Sequence, residues 1–164
     1  MIYVGLFLLA LVSLVLQSTV FSYLAIAGVK PDLLLIAVVF FSFIRGHRHG
    51  AVLGFCYGLL EDLVVGRFIG LNALIKMTIG FLVGLTEGKI YKENLIAPGL
   101  LVLLASIISG YLNLILLGIA GIPLAFGENF WRTIFPIALY NIGLAPFLYL
   151  KFYNVVAKGK FNSR

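Results

Sequence analysis

From Ile2 to Tyr153 the chain is a series of apolar runs, and no polar stretch between them is long enough to form a domain of its own. A water-soluble domain is about one-quarter charged, because its surface must meet water. Here only 11% of the 164 residues are charged and 62% are hydrophobic, so lipid must be part of the solvent. A span takes about 20 apolar residues, and six of them leave only short loops. The expected fold is one all-α polytopic membrane domain over residues 1–164. Its six transmembrane helices are expected near 2–21, 32–44, 51–65, 71–86, 95–119 and 130–153.

The breaks between runs carry the polar residues. Gln17, Ser18 and Thr19 mark the end of the first run. Pro31 suits a first helical position, and Asp32 in the first turn complements the helix dipole. Arg45-Gly46-His47-Arg48-His49-Gly50 reads as a polar break before a third helix at Ala51. The second and third runs are short for lipid-exposed crossings, so a re-entrant hairpin and four spans is the rival topology. Six is preferred, because four would place Arg45 and Arg48 at membrane depth, where charge is expensive. With the N-terminus inside, Arg45, Arg48, Lys89, Lys92, Lys151, Lys158, Lys160 and Arg164 fall on the inner side. Lys30, Arg67 and Arg132 fall on the outer side. Basic residues favour the cytoplasmic side, which predicts both termini in the cytoplasm of a multi-pass protein. The apolar start, with no basic n-region, reads as a retained helix and not a cleaved signal.

The richest constellation runs from the third helix into the fourth. Gly54, Gly58 and Asp62 are spaced by four residues, and so are Lys76, Gly80, Gly84 and Gly88. Residues at that spacing share a helix face, and small ones let a second helix approach closely. Two helices joined by a short turn are antiparallel, which brings Asp62 and Lys76 to the same end. The expectation is a glycine-lined seam closed by an Asp62–Lys76 ion pair; otherwise Lys76 snorkels to the interface. Glu61 points about 100° away from Asp62, so the two acids are not expected to form one site. The glycines Gly80, Gly84 and Gly88 serve either this seam or a partner helix.

Other signals are weaker. Asn113 and Asn141 lie within apolar runs and are read as interhelical hydrogen-bonding groups or the lining of a polar cavity. Pro136 and Pro146 are expected to kink or break the sixth helix. Tyr3, Tyr91, Trp131 and Tyr153 near run ends suit interfacial belts. The lone Cys56 rules out an intramolecular disulfide. His47 and His49 have no Cys or acidic neighbours, so no metal site is expected. No hydrolase, zinc-protease or phosphate-loop motif is present, so no catalytic residue and no cofactor is assigned. The net charge of +6 is explained by topology, without nucleic-acid binding.

The Lys30-Pro31-Asp32-Leu33-Leu34-Leu35 opening and the string Gly54-x3-Gly58-x3-Asp62-x3-Gly66-x3-Gly70-Leu71-Asn72-Ala73 resemble the bacterial rod-shape-determining MreD family. The resemblance extends over nearly the whole chain, although the first and last helices carry no matching motif. It implies a cytoplasmic-membrane protein without established catalysis. Such a protein acts as a scaffold or regulator of lateral peptidoglycan synthesis. The implied partners are MreC, the glycosyltransferase RodA, a class B penicillin-binding transpeptidase and the MreB complex, directly or through MreC. The family is also distantly similar to the six-helix S components of energy-coupling-factor transporters. That supplies an alternative, a vitamin-binding transporter subunit, for which Asn72, Asn113, Asn129 and Asn141 would offer polar groups. The Ala-x-x-x-Ala docking pattern is missing from the first helix, which reads Leu9-Ala10-Leu11-Val12-Ser13-Leu14.

Overall fold

The computed structural model describes residues 2–19, 29–65, 68–89, 96–122 and 126–156. Among these the chain is helical, with no β-sheet. The helices are α1 (Ile2–Ser18), α2 (Leu33–Arg45), α3 (His47–Val65), α4 (Leu71–Gly84) and α5 (Ile96–Ile119). The last, α6, runs continuously through Phe126–Asn129, a π-helical turn Phe130–Ile134, and Phe135–Val156.

The core is α2. Every residue from Leu34 to Ile44 is buried, and α1, α3, α4, α5 and α6 all pack on it. A helix that is apolar on all sides suits either a protein interior or lipid, and here the other five helices enclose it. Its aromatic side fixes it to α6: the Phe40 ring meets Tyr149 edge-on at 5.1 Å. Tyr57 of α3 donates a 2.6 Å hydrogen bond to the Leu6 carbonyl of α1. This bond ties the first helix to the rest.

The helix α3 begins four residues earlier than expected. Gly46 alone makes the break, at φ 87°, a left-handed value that costs glycine little. Because one residue reverses the chain, His47, Arg48 and His49 continue as the first turn of α3. Arg48 and His49 are exposed there. The helix α4 ends at Gly84, so Gly88 is not part of its stripe. Gly88 lies in the following turn at φ 76°, with open space around it. Neither proline breaks α6. The ring of Pro136 would crowd the Arg132 carbonyl in an α-helix, and the wider π turn lies just before it.

The pair α3 and α4 meets backbone to backbone. A Cβ at Gly50 would strike the Gly80 carbonyl, and one at Gly80 would strike the Gly50 carbonyl. A Cβ at Gly54 would meet the Lys76 carbonyl, and one at Gly58 the backbone of Asn72 and Ala73. At the other end Gly84 lies against the backbone of His47. Residue numbers rise on one helix as they fall on the other, so the pair is antiparallel. Larger residues along this seam must force the helices apart, since the obstacles are backbone atoms. Gly54→Leu and Gly80→Leu are each expected to destabilise the protein by about 1–3 kcal/mol or more. Gly143→Ala, on an exposed helical position with nothing near its Cβ, is expected to be neutral or stabilising by up to about 1 kcal/mol. Thermal unfolding of the three purified variants checks this.

Candidate functional site

The described carboxylates and the lysine of the interior gather where the start of α2, the end of α3 and the first turns of α4 meet. Asp32 caps α2: its Oδ1 accepts from the Leu35 N–H at 2.8 Å. That position is favourable for a carboxylate, because the first N–H groups of a helix lack partners. Asp62 performs the same service for a different helix. The residue before α4 is Gly70, at φ 101° and with no side chain to cap the helix. The Asp62 carboxylate fills the gap from α3. It accepts from the N–H groups of Gly70 (2.8 Å), Asn72 (3.2 Å) and Ala73 (3.1 Å), and from the Asn72 amide (2.9 Å).

This arrangement corrects the expected Asp62–Lys76 pair. Asp62 has four donors already, all at the positive end of α4. Lys76 is one turn farther along α4 and reaches two other acids. Its Nζ lies 2.7 Å from Asp32 Oδ2 and 2.7 Å from Glu61 Oε2. Nor does it snorkel, because only 1% of its side chain is exposed. The two neighbouring acids of α3 therefore do different work. Asp62 caps α4, whereas Glu61, about 100° around the helix, faces the lysine. The Lys76–Asp32 contact is also a hydrogen bond. The Glu61 contact is an ion pair of the same length.

The network continues into the remaining helices. The Asp32 N–H donates to Asn141 Oδ1 at 2.9 Å, and the Asn141 amide donates to Ser106 Oγ at 2.9 Å. Ser106 in turn donates to the Val102 carbonyl at 2.8 Å. Asn141 and Ser106 are both buried. A chain of contacts thus connects α3, α4, the start of α2, α6 and α5. Asn113 is half-buried on α5 and takes no part in it. A cavity of about 390 Å³ opens over the cluster, bordered by Gln17, Lys30, Asp32, Glu61 and Ile137 among others.

Of the residues singled out in the sequence, Gly54, Gly58, Gly80 and Gly84 form the seam. Asp62, Gly70 and Asn72 form the capped start of α4, while Lys76 and Asn141 join the network. Gly66, Arg67, Tyr91 and the side chain of Tyr3 lie outside the described residues. Sequence reasoning missed Glu61 and Ser106. Glu61 had a signal, since Asp32 and Glu61 are the acids besides Asp62 at the end of the bundle where Lys76 lies. Ser106 had none, because a serine in an apolar helix commonly bonds its own backbone.

The family model for the rod shape-determining protein MreD matches residues 1–158. The chain belongs to the MreD family. That membership implies a role in determining rod shape, and it gives no support to the transporter-subunit alternative. No curated protein and no solved structure matches the chain.

The network predicts which charges are coupled in this MreD-family protein. Lys76→Met leaves two acids facing each other, and loss of one partner of a buried pair costs about 3–5 kcal/mol. A double-mutant cycle of Lys76→Met with Asp32→Asn is expected to show about 1–3 kcal/mol of coupling. The cycle with Asp62→Asn is expected to be additive within about 0.5 kcal/mol. Unfolding in detergent measures both, and the reverse pattern would restore the Asp62–Lys76 pair.

Proposed function

We propose that this MreD-family protein is a multi-pass protein of the bacterial cytoplasmic membrane. It holds partner helices of the lateral wall-synthesis machinery in place and has no catalytic chemistry of its own. The observation that carries the reading is the family match over residues 1–158. In this reading MreC is the direct partner. RodA, the class B transpeptidase and the MreB complex are reached directly or through MreC.

The membrane part is supported by what faces outward. In α5, Leu100, Leu104, Ile108, Ile115 and Ile119 form an exposed apolar stripe. Only 22% of the most apolar window of this helix is buried, so it is not the core helix of a water-soluble protein. Its 24 residues extend about 36 Å, enough to cross a hydrocarbon core of about 30 Å. The sixth helix is also long and apolar enough to cross. The shorter α2, about 20 Å long, is enclosed by other helices. Its ends therefore meet protein and not lipid, and polar groups at that depth are tolerated where they are buried or line a cavity. In this reading each of the six helices is a crossing, and the distribution of Lys and Arg supports both termini in the cytoplasm.

The scaffold part is supported by how the interior is used. Asp62, Lys76, Asp32, Asn141 and Ser106 are all engaged in joining helices to one another. Gly80 and Gly84 are covered by α3, so a partner helix cannot use them without separating the hairpin. Partners instead meet the outer faces of α1, α5 and α6. Purification of the native complex in mild detergent is expected to recover MreC with this protein, and depletion is expected to round the cells. A C-terminal reporter enzyme that works only outside the cytoplasm is expected to stay silent. Normal rods after full depletion would sink the shape-determining reading, and an active reporter would sink the orientation.

A further inference from the structure

Along α2, the helices α1, α2 and α6 border a groove of about 360 Å³. Its walls are apolar, formed by Leu6, Leu9, Leu16, Leu33, Phe40 and their neighbours. Lys151 is the one charged residue bordering it. That lysine is exposed, and among the described residues it has no ionic partner. It stands at the same end of the groove as Gly5 and Phe152, whereas Leu16 and Leu33 mark the far end. Along α1 the groove extends from Gly5 to Leu16, roughly 16 Å at 1.5 Å per residue. Divided into its volume, that length leaves roughly 5 Å for the centres of water-sized atoms, or about 8 Å between the walls.

That width selects the occupant. A helix with its side chains is about 10 Å across and does not enter. A single hydrocarbon chain, whose carbons pack about 4 Å from their neighbours, does. The charge selects the other end of the ligand, because a cation at the mouth of an apolar slot favours an anionic headgroup. We propose that this groove binds one acyl chain of an anionic phospholipid, with its phosphate at Lys151. The inference rests on the membrane reading above, in which Lys151 lies on the cytoplasmic side. Anionic lipids of that leaflet attract basic residues.

The test uses the full-length protein purified in mild detergent and equilibrated with equal amounts of phosphatidylglycerol and phosphatidylethanolamine. Native mass spectrometry then counts the lipid retained per chain. One phosphatidylglycerol is expected to remain on the wild type. Ala37→Phe and Leu9→Trp, which fill the groove from opposite walls, are each expected to reduce that fraction at least about tenfold at unchanged thermal stability. Lys151→Gln is expected to keep a lipid but reduce the preference for phosphatidylglycerol about fivefold. Two folded filling variants that retain lipid like the wild type would overturn the proposal. So would an unchanged preference in Lys151→Gln, or a second protein chain retained in place of lipid. A chain that never fractionates with the membrane would overturn the membrane reading and this inference together.

Discussion

The rest of the structure depends on the direct backbone contact between α3 and α4. Gly50, Gly54 and Gly58 on one helix and Gly80 and Gly84 on the other remove the side chains that would hold the axes apart. Close approach has two consequences. It brings the Asp62 carboxylate within hydrogen-bonding distance of three N–H groups at the start of α4. It also places Lys76 inside the protein, where solvent cannot serve its charge.

A buried ammonium needs compensation, and the fold supplies it from two other helices. Asp32 is available because it caps α2, and Glu61 because it stands beside Asp62 on α3. The same Asp32 offers its backbone N–H to Asn141, so α5 and α6 are joined to the hairpin through one residue. Interactions of this kind add little net stability compared with apolar packing, but removing one member is costly. They favour one arrangement of the six helices over others that would bury as much apolar surface. For a protein proposed to present fixed faces to partner helices, a single arrangement is the useful property.

Much of the fold was legible in the sequence. Six apolar runs became six helices, with most boundaries close to those expected, because hydrophobicity and glycine spacing are local. The shifts were at α3, where Gly46 by itself reverses the chain and the polar His47-Arg48-His49 segment became helix, and at α6, which starts four residues early at Phe126. The glycine periodicity of four pointed to close helix approach, and the seam has that form. Gly88 followed the same spacing but lies past the helix end, so periodicity without a boundary overcounted the stripe. The prolines of α6 were expected to disturb it, yet a π turn absorbs Pro136 without a break.

The sequence by itself determined that this chain folds as apolar helices, that two of them pack through glycine, and that its motifs are those of the MreD family. Each of these rests on residue type and on spacing along one or two helices. Only the tertiary structure decided which acid meets Lys76 and which helix lies at the centre. Asp32, Glu61 and Asp62 all come from helix ends on the same side of the bundle, and spacing alone does not rank them. The choice was made by the uncapped start of α4, whose free N–H groups hold Asp62 and leave the lysine to the other two. The central place of α2 was likewise undecided in the sequence, because a fully apolar helix suits lipid and protein interior equally. Its neighbours enclose it, and that enclosure lets a helix of only 13 residues form the core of the bundle.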